Sequence, residues 1–144
     1  GKALWRESEI YRSVRENGLE NHVVFTGYVP DEDLVQLYNQ ADVFVYPSLY
    51  EGFGLPVIEA MACGTPVVTS NSSSIPEVAG DAAMLVNPED VESIAQGLET
   101  VVTNTSLKEA LGRKGVEQAR KFTWEKTAEQ TLRIYREAGM EHGE

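Results

Sequence analysis

Val43-Phe-Val-Tyr-Pro-Ser-Leu-Tyr-Glu-Gly-Phe-Gly-Leu-Pro-Val-Ile-Glu59 is the stretch on which the fold turns. It reads as a strand at Val43–Tyr46, a glycine-punctuated loop, and a short helix from Pro56 to Cys63 that Gly64 ends. In open α/β sheets, ligands bind beside such loops at the carboxyl ends of strands. Gly52 and Gly54 remove side chains where a ligand would approach the backbone, and the free N–H groups of the next helix point at that space. A diphosphate is stabilised in such a place by the helix dipole. The same glycines also suit a plain strand-to-helix connection. Glu59 bears on the choice, because its helix is otherwise Val57, Ile58, Ala60, Met61, Ala62 and Cys63 and is expected to be buried nearly all round. A buried carboxylate is costly unless it is hydrogen-bonded. Glu51 and Glu59, with seven residues between them, suit the binding of vicinal hydroxyls, since each ionised carboxylate accepts from two donors. Pairing of Glu59 with a backbone donor is the plainer alternative.

Outward from this stretch the chain alternates. Short apolar runs of strand length, His22–Thr26, Val43–Tyr46, Pro66–Ser70 and Ala83–Val86, are separated by segments with helical signals. Continuous hydrophobicity marks strands covered on both faces, so the fold class is α/β with a Rossmann-like parallel sheet and flanking helices. A helix from about Leu4 to Arg15 is stopped by Asn17-Gly18, and Asp31–Gln40 places Leu34, Leu37, Tyr38 and Ala41 on one face. Asn87-Pro88 is expected to cap a helix carrying Val91, Ile94 and Leu98, and Ser106 with Glu109 forms a capping-box pattern. Thr123 is expected to cap a last helix with Trp124, Ala128, Thr131, Leu132 and Tyr135 on one side. Residues 1–138 read as one domain and residues 139–144 as a disordered tail.

All twelve basic residues lie outside the stretch from Glu16 to Leu107, and the net charge is −11. No basic patch exists to displace counterions, which argues against a nucleic-acid partner. A diphosphate held by this stretch must rely on backbone N–H groups and helix N-termini, or on cations from elsewhere. The single cysteine, Cys63, builds neither a disulfide framework nor a Cys-based metal site. The two histidines, His22 at a strand start and His142 in the tail, give no reason to expect a metal. No apolar stretch nears the roughly 20 residues of a membrane span, so no transmembrane segment is expected, and the lone cysteine fits a reducing, cytoplasmic setting. Ser72-Ser-Ser reads as a loop after a strand end that flanks the site or merely connects.

The segment from Glu51 to Glu59, with Pro47-Ser48 before it and Ala60-Met-Ala-Cys-Gly-Thr-Pro-Val-Val68 after it, resembles the EX7E motif of family 4 retaining glycosyltransferases of the GT-B fold. Val24-Phe-Thr-Gly-Tyr-Val-Pro30, Ile75-Pro-Glu-Val78 and Phe122-Thr-Trp124 match in order and spacing, and the likeness runs from about Leu4 to Ala138. The resemblance implies the C-terminal, donor-binding domain of a two-domain enzyme that transfers a hexosyl unit with retention from a nucleoside-diphosphate sugar. It implies no cofactor and usually no metal. Glu59 would bond the ribose hydroxyls. Glu51, with Gly52 and the backbone of Phe53, Gly54 and Leu55, would hold the donor sugar and phosphates, while Gly27, Tyr28 and Val29 would meet the base.

The resemblance also implies departures. The family's domain normally opens with two more strands and a helix, carrying an Arg and a Lys that grip the diphosphate. Gly1-Lys2-Ala3 is similar to the loop after the second of those strands. On this expectation the chain is a partial domain that lacks both cations and the N-terminal acceptor domain, and is inactive alone. In the implied strand order 3-2-1-4-5-6 the gap falls between His22–Thr26 and Val43–Tyr46. Exposed edges there invite pairing, so either those two strands pair directly, or the chain forms a homodimer through strand or helix exchange. A sugar-nucleotide epimerase or phosphorylase is a second reading in the same fold, and a non-catalytic, self-associating scaffold a third from another class.

Overall fold

The computed structural model describes residues 7–141, so the expectations placed on Leu4, Gly1-Lys2-Ala3 and His142 lie outside the described residues. The chain divides into two compact units, Gly1–Gln36 and Leu37–Glu144.

In the first unit, α1 (Glu7–Glu16) ends where the Asn17, Gly18 and Leu19 N–H groups turn back on Ser13, Arg15 and Val14 carbonyls, with Gly18 at φ 65°. The stop at Asn17-Gly18 is the expected one. The run His22–Thr26 is not a strand. His22 and Val23 donate to the Leu19 carbonyl in a local turn, and the run joins no ladder among the described residues. A strand needs a neighbour for its backbone groups, and hydrophobicity alone does not supply one. Phe25 instead packs its ring on Tyr11, with centroids 4.3 Å apart. α2 (Asp31–Gln40) matches its expected bounds, its residues from Leu37 onward belonging to the second unit.

The second unit carries a parallel sheet of β1 (Phe44–Tyr46), β2 (Val67–Ser70) and β3 (Met84–Val86) in the order β1-β2-β3. Phe44 lies opposite Val67, and Thr69 stands between Tyr46 and Leu85. β2 is buried throughout, as its continuous apolar run requires. Val68 and Val86 pack with Val101 and Leu111, on helices α5 (Val91–Thr103) and α6 (Thr105–Ala119). The pleat turns Val67 and Thr69 to the other face, and α3 (Leu55–Ala62) packs against β1 and β2. α6 and α3 meet closely because a Cβ at Gly112 would stand only 2.6 Å from the Gly64 carbonyl oxygen.

The helix starts shift from expectation. Asn87 Oδ1 accepts from Glu89 N–H in a turn, and the cap of α5 is Asp90, which accepts from Glu92 N–H at 3.0 Å. Asn104, not Ser106, caps α6 through Leu107 N–H at 3.0 Å. An additional helix, α4 (Ile75–Ala79), follows Ser72-Ser-Ser. Thr123 Oγ1 accepts from Lys126 N–H at 3.2 Å at the start of α7 (Trp124–Glu141), which continues through Gly139.

Candidate functional site

The loop between β1 and α3 lies at the carboxyl end of β1, beside the loop after β2. Its form is decided by Gly54, the N-cap of α3, which is buried and left-handed at φ 96°. A Cβ there would stand 2.5 Å from Ile75 Cδ1. The expectation that Gly54 opens onto ligand space is thereby corrected: its Cα faces α4, and only its backbone is available to a ligand. Gly52 is the open glycine, with nothing within 4 Å of an added Cβ.

Pro56, in the first turn of α3, has no N–H to offer, and Val57 N–H is used by the Gly54 carbonyl at 3.0 Å. The N–H groups of Gly52, Phe53, Gly54 and Leu55 meet no acceptor among the described residues. Four backbone donors therefore surround the loop before the dipole of α3. Phe53 is anchored from the side, its ring edge-on to Phe122 with centroids 5.5 Å apart.

Glu51 is held at both ends. Its Oε1 accepts from Tyr46 Oη at 2.6 Å and from Ser48 Oγ at 2.8 Å, and Oε2 has no partner among the described residues. Its carbonyl accepts from Ser73 Oγ at 2.7 Å and Ser74 Oγ at 2.9 Å, and its N–H donates to Ser73 Oγ at 3.3 Å. Ser72 Oγ donates to the Leu49 carbonyl at 3.3 Å. The triple serine thus flanks the site, with Ser73 in the left-handed region at φ 57°, a conformation that costs a non-glycine residue about 1–2 kcal/mol. Donation from Tyr46, then Ser48, holds the Glu51 carboxyl below the usual carboxylate range. The same bond, with some burial, pushes the Tyr46 phenol up to about 12.

Glu59 departs from expectation. α3 buries Val57, Ala60 and Met61 only, and Glu59 stands on its exposed side. Its partner is a side chain rather than a backbone donor: Tyr38 Oη donates to Glu59 Oε2 at 3.2 Å. Burial of Tyr38, then the Glu59 charge and this bond, raise the Tyr38 phenol to about 12. Thr65 Oγ1 fixes the backbone beneath by donating to the Tyr38 carbonyl at 2.7 Å.

Glu51 through Leu55 and Glu59 are therefore brought together on one strand–loop–helix unit. Gly27, at φ 66°, Tyr28, which is 77% exposed, and Val29 belong to the first unit. The sequence reading did not assign Tyr46 or Ser48 to the site and saw Tyr38 only as a face residue of α2. The one available signal was the position of Tyr46 and Ser48 within five residues of Glu51. Among the described residues no three His, Cys, Asp or Glu side chains cluster to hold a metal ion, and no helix is long and apolar enough to cross a membrane.

This geometry has close counterparts. A family model described as Glycosyl transferases group 1 matches residues 6–118. The O-antigen chain mannosyltransferase B of Escherichia coli is 44% identical over 132 residues, covering 92% of this chain and 35% of that protein. The solved sucrose-phosphate synthase from Thermosynechococcus elongatus superposes with a TM-score of 0.84 at 34% identity, covering 94% of this chain and 35% of that one. The Anabaena HepE protein in complex with UDP and glucose superposes with a TM-score of 0.83 at 26% identity, covering 96% and 39%. These neighbours have the GT-B fold, to which the three-stranded parallel sheet with its flanking helices corresponds. The chain spans 35% of the length of its E. coli relative.

Proposed function

The chain belongs to the group 1 glycosyl transferases, and we propose that its Glu51–Glu59 segment is the EX7E motif of a family 4 retaining enzyme that binds a nucleoside-diphosphate sugar and transfers its hexosyl unit. The observation that carries this reading is the placement of two carboxylates, each with one oxygen free, around a loop whose Gly52, Phe53, Gly54 and Leu55 N–H groups are unused among the described residues. The N–H groups suit the diphosphate oxygens, and the two free carboxylate oxygens suit sugar and ribose hydroxyls. Glu59 is read as the ribose acceptor, Glu51 as the donor-sugar acceptor, and Gly27, Tyr28 and Val29 as the base contacts. The E. coli mannosyltransferase supports a mannosyl unit, and the HepE complex supports a nucleoside diphosphate as carrier.

The leaving diphosphate needs electrostatic stabilisation. The stretch from Glu16 to Leu107 holds no Lys or Arg, so in this reading the cations are supplied from outside it. The acceptor is likewise assigned to a further domain, and these residues alone are not expected to transfer sugar. The reading invokes no metal or cofactor and places the protein in the cytoplasm, in keeping with its lone Cys63. Calorimetric titration with UDP-glucose and GDP-mannose tests it: saturable binding of one of them is expected, and the absence of saturable heat with both overturns it.

Self-association is a second reading, favoured by α7. Every side chain described from Trp124 to Gly139 is exposed. Trp124, Ala128, Thr131, Leu132, Ile134 and Tyr135 occupy an arc of roughly 160° that carries no charge. An antiparallel copy would set Glu125 against Arg136 and Trp124 against Ala138, pairing opposite charges and large with small. The net acidic polar face disfavours an anionic membrane surface. Light scattering of Tyr135→Glu against the parent protein tests the dimer, which the substitution is expected to abolish; a parent protein monomeric at high concentration overturns it.

A further inference from the structure

The two carboxylates of the site are tied to each other through aromatic rings. Tyr38 donates to Glu59 and Tyr46 donates to Glu51. Between these tyrosines stands Phe44. Its ring meets Tyr38 edge-on with centroids 5.2 Å apart at 86°, and lies nearly parallel to Tyr46 with centroids 5.9 Å apart at 15°. Phe44 and Tyr46 share one face of β1 because they are two residues apart. Tyr38 comes from α2, and its side chain is buried, at 6% exposure. Carboxylate, phenol, phenyl, phenol and carboxylate thus form one chain of contacts from Glu59 to Glu51.

We propose that Tyr38 and Tyr46, coupled through Phe44, are positioning residues that orient Glu59 and Glu51 toward the donor. The inference rests on the donor-binding reading above. Edge-to-face and offset aromatic pairs are directional, so the phenol oxygens are fixed relative to each other. Each phenol in turn restricts one carboxylate and leaves its second oxygen free for a ligand hydroxyl. Such restriction removes rotamer freedom before binding, a cost the complex then does not bear. The Tyr46 phenol also biases Glu51 toward the ionised form, the better acceptor. No cation assists: the charged groups on the flanking elements are Glu59 on α3 and Glu77 on α4, and what acts on Glu51 is Tyr46, Ser48 and slight burial.

The test is donor titration of the full-length protein with UDP-glucose and GDP-mannose between pH 4 and 8, for the parent and for Tyr46→Phe, Tyr38→Phe, both together, and both in a Phe44→Leu background. A parent that binds neither probe sinks the donor-site reading, whatever becomes of the tyrosines. If the parent binds, Tyr46→Phe is expected to move the acid limb of binding to higher pH, with a loss of affinity roughly threefold greater at pH 4 than at pH 8, as Glu51 returns toward the ordinary carboxylate range. A residue that merely stabilised the loop would lower the melting temperature and leave the pH profile in place, which would overturn the proposal. The double variant should lose less affinity than the product of the two single losses, and Phe44→Leu should make the losses multiply. Losses that multiply with Phe44 present overturn the coupling. Ser48→Ala gives the same pH shift in lesser degree, and serves if Tyr46→Phe does not fold.

Discussion

Gly54 lies beneath Ile75: a Cβ on the glycine would meet Cδ1 of the fully buried isoleucine at 2.5 Å, on a backbone at φ 96°. Substitution there acts on the fold before it acts on any ligand. Left-handed strain and overpacking each cost about 1–3 kcal/mol, so Gly54→Ala should lower unfolding stability by about 2–5 kcal/mol in urea titration. Adding Ile75→Val should recover part of the loss. Gly52→Ala, in open space, should be nearly silent. Equal stability of Gly54→Ala and its parent would mean that the loop has room the structure does not show.

Glu59→Gln keeps the shape of the side chain and removes its charge. Its hydrogen bonds to ribose hydroxyls would be charge-assisted, worth roughly 1.5–3 kcal/mol each, so donor affinity in the full-length protein should fall at least about tenfold. Because Glu59 is exposed on α3, the melting temperature should hardly change. An unaltered dissociation constant would leave Glu59 as a partner of Tyr38 only.

Acid sensitivity is expected from two surface ion pairs. Lys114 Nζ reaches Asp81 Oδ2 at 2.6 Å, and Lys108 pairs with Asp42. Hydrogen bonding from these ammonium groups holds both carboxyls below their ordinary values. A carboxyl depressed in the folded state contributes its stability in full above the ordinary value, and loses it as pH falls through the depressed one. Between pH 6 and 3 the parent should therefore lose melting temperature faster than Asp42→Asn/Asp81→Asn. High salt should shrink the difference. Parallel melting curves would show that the pairs contribute nothing.

Ser70 Oγ, at the end of β2, is wholly buried and has no hydrogen-bond partner among the described residues. An unsatisfied buried hydroxyl costs about 1–3 kcal/mol. Ser70→Ala should raise unfolding stability by about 1 kcal/mol, measured by denaturant titration. A clear loss would reveal a bond to the hydroxyl.

The three strands were legible because Val43–Tyr46, Pro66–Ser70 and Ala83–Val86 are apolar without alternation, and each forms a rung of the parallel sheet. His22–Thr26 has the same appearance and forms none, since pairing depends on a neighbour that a local pattern does not contain. Caps failed by two or three residues at Asp90 and Asn104 for a different reason. Asn, Asp and Ser all cap well, and where several stand together the backbone turn chooses among them. Within the site, the positions of Glu51, Glu59 and the glycines could be read, but not their surroundings. Alternation along β1 assigns Tyr46 to a face without naming its partner. That α3 would leave Glu59 exposed depended on how much of its circumference α6, β1 and β2 cover. Gly54 could be singled out, but its reason, the proximity of Ile75, is a tertiary contact.

The hydroxyls of Ser73 and Ser74 that converge on the Glu51 carbonyl knot the connection leaving β1 to the one leaving β2. Neither can be lengthened alone. An insertion in the serine segment would pull the peptide at Glu51 out of register, and a deletion before Gly52 would strand both hydroxyls. Variation among descendants of this sequence should accordingly appear as paired changes of length in the two connections, or as none.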